Sequence, residues 1–354
     1  MAAIDRPTAY AVLGQSYGYI GHNNGLSAAP FLKLVSSAFQ TDPTGITARL
    51  AGNPTIQTTS LPQMRMLATP GSSVLNKFQG STGYWVENDG VTPGPLLTAA
   101  VTALSGYSPK ATFLIWSQGE QEATAGITSA DATLFKTAIN TIFSSCRAAC
   151  NPGSPTSVPI FLDMLGPRYQ ADEASEYIVG DAIIDVIAAG TNLYRGAEKY
   201  ALRLDLTTHP TRDKSGYSQL GAHEGRKVNG WLLGSVPSGP SITSAVRTGN
   251  NVAVTVTVPS GKSLIKPSQP DFFGLYDGSG NSISITDYNW SGNVLTLTAA
   301  SQPSTLKYPV PLRVGTGATK PTDINKVVRL ASPSDPVVVG EPGLVLERAK
   351  AFTL

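Results

Sequence analysis

Near residue 235 the periodicity of this chain changes, and the change divides what it can fold into. Upstream, short apolar runs alternate with segments whose apolar residues recur every three or four positions. Tyr10-Ala11-Val12-Leu13 runs into the turn residues Gly14-Gln15. Ala111 to Trp116 is an almost unbroken apolar run, as in a strand buried on both faces, and Pro159-Ile160-Phe161-Leu162 is another. Between these runs, Leu96 to Leu104 follows the helix-start signal Pro93-Gly94-Pro95. Ala130 to Cys146 places Phe135, Ile139, Ile142, Phe143 and Cys146 on one helical face. Asp172 to Ala189 does the same with Ile178, Ala182, Val186 and Ile187. Strand and helix in alternation predict an α/β layer around a parallel sheet. Downstream, Asn251 to Val258 and Val294-Leu295-Thr296-Leu297-Thr298 alternate with period two, separated by turn clusters such as Asp277-Gly278-Ser279-Gly280. That pattern predicts a small antiparallel β-sandwich. The linker Ser235-Val236-Pro237-Ser238-Gly239-Pro240 lies between them, so the expected domains are 1–236 and 237–354. There is no internal repeat.

The 354 residues are 41% hydrophobic but only 14% charged, which gives material for a core beneath an unusually uncharged surface. The net charge is +2 and no basic run builds a phosphate-neutralising patch, so no nucleic-acid partner is expected. No stretch approaches the roughly 18 apolar residues of a membrane span, so no membrane partner is expected either. The opening MAAIDRPTAY carries Asp5 and Pro7 where a secretion signal needs an apolar core. The compartment is left open, the low charge and Gly/Pro-rich texture leaning toward an extracellular or virion protein. Cys146 and Cys150 lack two further ligands nearby and, four apart on a helix, fit disulfide geometry poorly. They are expected to be small, inert, partly buried thiols.

Ser16 follows the first strand directly, in Leu13-Gly14-Gln15-Ser16-Tyr17-Gly18. A glycine-flanked serine at a strand end can present its hydroxyl at the carboxyl edge of the sheet, where open α/β sheets take their ligands. The segment also matches the G-x-S-x-G elbow, but those enzymes build several strands before their nucleophile and this chain builds one. A serine hydroxyl needs a base, and the chain has three histidines. His22 lies in a Gly/Asn loop, and His223 falls in a late helical stretch that is expected to be a solvated face. His209 follows Asp205 by four residues, after a short apolar strand, so a carboxylate is at hand to orient the imidazole. His209 with Asp205 is the best pair. Phe113 to Gln118 ends abruptly in polar residues, so Gln118 should emerge at the same edge and could donate to an oxyanion. Glu120 and Glu122 sit too close together to flank a sugar as glycosidase carboxylates do. Glu120 is expected to brace the loop, and Glu122 to be solvated.

At these points the chain resembles the SGNH/GDSL hydrolase superfamily, in its sialate O-acetylesterase and acetylxylan-esterase-like branch. Gly14-Gln15-Ser16 matches the branch's G-Q-S. Trp116-Ser117-Gln118-Gly119-Glu120 matches its W-x-Q-G-E, the most specific block. Asp205, His209-Pro210, Lys214, Gly216 and Gly221 match its closing segment. Met64-Arg65-Met66-Leu67 and Thr92-Pro93-Gly94-Pro95 are weaker echoes, and the matches run in order over roughly residues 10–230. The resemblance implies a three-layer α/β/α fold and a carbohydrate O-acetylesterase working through an acetyl-serine intermediate, with no metal and no cofactor. It implies a triad of Ser16, His209 and Asp205. The oxyanion donors would be the Ser16 backbone, Gln118 and a glycine: Gly80 or Gly83, with Gly90 a distant third. The chain departs from the pattern in two places. Asp205 stands four residues before the histidine rather than two or three, so Glu120 or a backbone carbonyl could hold the imidazole instead. Tyr17 and Gly18 replace an Asn and a small residue, and an aromatic beside the nucleophile would suit a sugar ring.

The expected partner is an O-acetylated carbohydrate substrate. Phe272 to Asp277 and Val294 to Leu297 look similar to the β-domain that trails many such esterases. It could pack, bind glycan, or join a homo-oligomer or larger assembly such as a phage tail. Two alternatives stand beside the carbohydrate esterase. One is a lipase, for which no amphipathic lid is visible. The other is a non-catalytic glycan-binding or virion structural protein, which loss of the serine or histidine would have signalled.

Overall fold

The structure, a computed structural model, describes residues 9–15, 63–166, 173–202, 217–232, 234–310, 313–314, 318–319, 326–331 and 344–354. The chain divides into two compact units, Met1–Lys199 with His209–Pro237, and Tyr200–Thr208 with Ser238–Leu354.

The first unit is built on a five-stranded parallel sheet. In chain order its described elements are β1 (Ala9–Gly14), β2 (Gln63–Met66), β3 (Ser73–Leu75), β4 (Tyr84–Val86), α1 (Pro95–Gly106), β5 (Phe113–Ser117), α2 (Glu120–Thr124), α3 (Ala132–Cys150), β6 (Ile160–Met164), α4 (Glu173–Ala189), β7 (Leu193–Glu198) and α5 (Tyr217–Leu232). The sheet order is β2-β1-β5-β6-β7 and every pairing is parallel. β1, β5 and β6 are buried along their whole length because helices cover both faces.

Alternation along each strand sorts the side chains between two cores. Ala11, Leu13, Leu114, Trp116, Ile160 and Leu162 meet Leu97 and Leu104 of α1, Phe135 and Ile139 of α3, and Val179 and Ile183 of α4. Tyr10, Val12, Phe113, Ile115 and Phe161 turn the other way, onto Val228 and Leu232 of α5. Helices on both faces of a parallel sheet make the three-layer α/β/α architecture. Aromatic rings join sheet to helix and strand to strand: Trp116 of β5 meets Phe143 of α3 edge-on at 5.4 Å, and Tyr10 of β1 stacks on Phe113 of β5 at 5.2 Å.

Local chemistry sets the helix ends. α1 begins with Pro95 at its first position, where a missing N–H costs nothing. α3 starts after a capping box in which Thr128 and Asp131 satisfy each other's backbone N–H groups. Arg147, in its last turn, donates to Val158 O at 2.7 Å, Thr191 O at 2.9 Å and Asn192 O at 2.7 Å, tying α3 to the approaches of β6 and β7. Cys146 and Cys150 are free and buried in this core, and burial pushes the Cys150 thiol up to about 11. No described helix is long and apolar enough to cross a membrane.

The second unit is all β. One antiparallel sheet has the order Ile285–Ser291, Val294–Ala299, Asn251–Thr257, Ser241–Thr248, and another Ser282–Ile283, Gly274–Tyr276, Thr305–Lys307, Phe352–Thr353. Val252, Val254, Val256, Leu295 and Leu297 of the first share a core with Leu275, Ile283 and Leu306 of the second, so the unit is a β-sandwich. The period-two burial of Asn251–Thr257 is the one that its sequence predicts.

Gly14 ends β1 with φ +112°, and a β-carbon there would lie 2.2 Å from Ser117 O. Both the backbone conformation and the space demand glycine. Gly14→Ala should lower unfolding stability by about 2–5 kcal/mol, read from urea titrations, because strain and overlap act together.

Candidate active site

The sheet order reverses between β1 and β5: the chain leaves β1 for β2 on one side and later fills β5, β6 and β7 on the other. Such a switch opens a crevice at the carboxyl ends of the two strands, which is where open α/β sheets bind ligands. The residues that follow β1 and β5 are Gln15 and Gln118, and both are buried.

Gln15 N donates to Ser117 O at 2.9 Å, which extends the β1–β5 pairing past Gly14. Its side chain turns toward α2, where Nε2 donates to Glu120 Oε2 at 2.6 Å. The other oxygen of Glu120 pairs with Lys199 Nζ, with both side chains fully buried, and accepts from Gly166 N at 3.5 Å. Burial by itself would raise the Glu120 pKa. The Lys199 ammonium and the hydrogen bonds outweigh it and hold the carboxyl below its usual range. Gly119, which precedes α2 at φ +123°, lets the chain turn from the strand end into this helix.

Gln118 is held from two sides. Its Nε2 donates to Ser72 O at 2.9 Å and reaches Glu122 Oε2 at 3.5 Å, and its Oε1 lies 3.5 Å from Ser72 Oγ. Ser72 Oγ also lies 3.3 Å from Gly14 O. The 3.5 Å contact is at the outer limit of a hydrogen bond, so that amide proton is the one free to turn toward another acceptor. Glu122 is fully buried rather than solvated, because Val74 N donates to it from β3 and Gln118 faces it. Burial pushes its carboxyl up to about 7, against the lowering effect of those hydrogen bonds.

The glycine candidates lie in and after the β3–β4 connection. Gly80 and Gly83 bridge each other across a tight turn, and Gly83 O accepts from Ser73 N at 3.1 Å, next to the residue that holds Gln118. A β-carbon on Gly80 would lie 2.0 Å from Gly71 O. Gly90 instead packs on Leu134 of α3. Ser16, Tyr17, Asp205 and His209 lie outside the described residues, as do His22, Pro210, Lys214 and Gly216.

Three buried ionisable groups at this edge went unread in the sequence. Lys199 follows β7, Asp163 sits in β6, and Glu224 lies on α5. Asp163 Oδ1 accepts from Ala197 N at 2.9 Å. Burial raises the Asp163 carboxyl well above its usual range and the Glu224 carboxyl to about 8; the Lys199 charge opposes both shifts. The pair therefore holds protons more tightly than free carboxyls do. His223, expected on a solvated face, is buried on α5; burial, with Arg226 and Lys227, lowers its imidazole to about 3 and keeps it neutral. Strand β7 also escaped the sequence reading, and its only signal is the loose alternation of Leu193-Tyr194-Arg195-Gly196-Ala197.

No protein-family model matches the chain, and no curated protein matches it. Among solved structures, it is similar to a carbohydrate acetylesterase from Xanthomonas citri, with TM-score 0.59 and 12% identity, over 92% of this chain and 80% of that one. At that identity the likeness shows a shared fold. A protein from Arabidopsis thaliana overlaps with TM-score 0.37 and 15% identity, over 55% of this chain and 69% of that one, too little to bear on the fold.

The raised Glu224 carboxyl makes stability depend on pH. An unfolded chain releases this proton near 4.5, and the folded one keeps it to about 8. Between those values the folded state binds more protons, so the group's contribution to stability falls as pH rises. Glu224→Gln should therefore gain thermal stability relative to wild type between pH of about 5 and 8.5, measured by melting across that range.

Proposed function

We propose that this chain is a serine esterase that removes acetyl groups from a carbohydrate. The observation that carries the reading is the anchoring of Gln15 to Ser117 and Glu120 at the switch point of the sheet. Ser16 is the next residue in the sequence after this anchored Gln15, and Gln15 stands at the edge where such sheets take ligands. The shared fold with a carbohydrate acetylesterase supports the substrate class.

In this reading the Ser16 hydroxyl attacks the acetyl carbonyl carbon while His209 takes its proton. Asp205 holds the imidazole and stabilises its charged form. Glu120 is already held by Gln15 and Lys199, which favours Asp205 for that role. The oxyanion is met by the Ser16 backbone N–H, by a glycine N–H from the Gly80–Gly83 turn and by the amide proton that Gln118 directs only weakly at Glu122. Collapse expels the sugar alcohol, which takes its proton from His209. Water then attacks the acetyl-serine with His209 again as base, and acetate leaves. Tyr17 would offer a ring face to the sugar. The β-sandwich, with its boundary at 236/237, would serve as an accessory domain.

Acetate release from p-nitrophenyl acetate and from O-acetylated glycans tests this. Ser16→Ala and His209→Ala should each lower kcat/KM by about a thousandfold or more, and the double variant should be no worse than either. An inactive wild type, or an active Ser16→Ala variant, would overturn the proposal.

A further inference from the structure

Lys199 is a fully buried cation at the end of β7, and none of the chemistry above uses it directly. An ammonium is kept out of water only where anions and acceptors answer it. Here it pairs with Glu120 Oε1, lies 3.3 Å from Ser117 Oγ, and acts through its charge on Asp163 and Glu224. The contacts close into a ring. Lys199 holds Glu120, Glu120 Oε2 accepts from Gln15 Nε2 at 2.6 Å, Gln15 N donates to Ser117 O at 2.9 Å, and Ser117 Oγ returns to Lys199. The ring joins the carboxyl ends of β1, β5 and β7, and Gln15 is the peptide neighbour of Ser16.

We propose that Lys199 is a positioning residue of this site: its charge keeps Glu120 an anionic acceptor, which locks Gln15 and with it the backbone entering Ser16. The inference rests on the esterase reading. Its physical basis is the balance at Glu120, where burial raises the pKa and Lys199 is the largest opposing influence. Among the described residues, the other charged groups acting on this pair are Glu122 on the same helix and Asp163 and Glu224 from β6 and α5, all carboxyls that add no positive charge. Without Lys199, the burial that opposes the charge on Glu120 goes largely unanswered, its protonated form is favoured, and Gln15 loses its charged acceptor.

The test is Lys199→Met, alone and combined with Glu120→Gln, with kcat, KM and melting temperature measured from pH of about 6 to 10. Lys199→Met should lower kcat near neutral pH by about ten- to a hundredfold with KM almost unchanged, the size expected for a lost charged hydrogen bond. Its activity should climb again as alkaline pH ionises Glu120. The double variant places a neutral amide where the inference requires an anion, so it should be about as slow as Lys199→Met near neutrality and should lack the recovery at alkaline pH. A structural role alone would give Lys199→Met a loss independent of pH, with no alkaline recovery for the second substitution to remove. Wild-type kcat in Lys199→Met overturns the inference, as does a loss with an unshifted pH profile. If Lys199→Met does not fold, the double variant decides: folded and slowed about ten- to a hundredfold across the pH range it supports the inference, folded with wild-type kcat it overturns it. A wild type without activity would instead sink the esterase reading itself.

Discussion

Gly14 approaches Ser117 so closely that no side chain fits between them, and Gln15 N then bonds Ser117 O at 2.9 Å. This contact is where the two central strands of the sheet end together, at the point where the strand order reverses. Other features of the edge depend on it. Gln118 comes out of β5 one residue later and packs against Ser72, whose hydroxyl lies close to Gly14 O. Glu120 comes two residues after that and reaches back to Gln15. A shift of β1 against β5 by one residue would turn Gln15 away from Glu120 and exchange the two cores.

Charge burial gives this edge its second constraint. Carboxyls of Glu120, Glu122, Asp163 and Glu224 and the ammonium of Lys199 lie out of water around the ends of β5, β6 and β7. Two solutions coexist there. Glu120 is held toward its charged form because Lys199 answers it, while burial pushes the Asp163 and Glu224 carboxyls upward against the same Lys199 charge. Paired and protonated groups of this kind fix geometry more than they add stability, since desolvation offsets much of their attraction. A site that must hold a nucleophile in one orientation benefits from such rigidity.

Much of the scaffold is legible in the sequence. β1, β5 and β6 stand out because helices on both sheet faces require apolar residues at every position. α3 shows its inner face because Phe135, Ile139, Ile142 and Cys146 keep helical spacing over a long element. β7 does not stand out, since Arg195 and Gly196 interrupt it; Gly196 is small because Asp163 Oδ1 would lie 2.5 Å from a β-carbon there. At the site, Gln118 and Glu120 are readable from the abrupt end of an apolar strand. The burial of Glu122, His223 and Lys199 is not, because local sequence reads charged and polar side chains as solvated. What keeps Lys199 inside is Glu120, 79 residues away in the chain.

The central claim is that Ser16 is the nucleophile, and covalent labelling tests it most directly. A fluorophosphonate reacts with a serine only where a base has activated it, and the adduct can be located by proteolysis and mass spectrometry. The account predicts one adduct, on the peptide containing Ser16, that is lost in Ser16→Ala and in His209→Ala. An adduct on another residue, or an active enzyme that the reagent leaves unmodified, would contradict it.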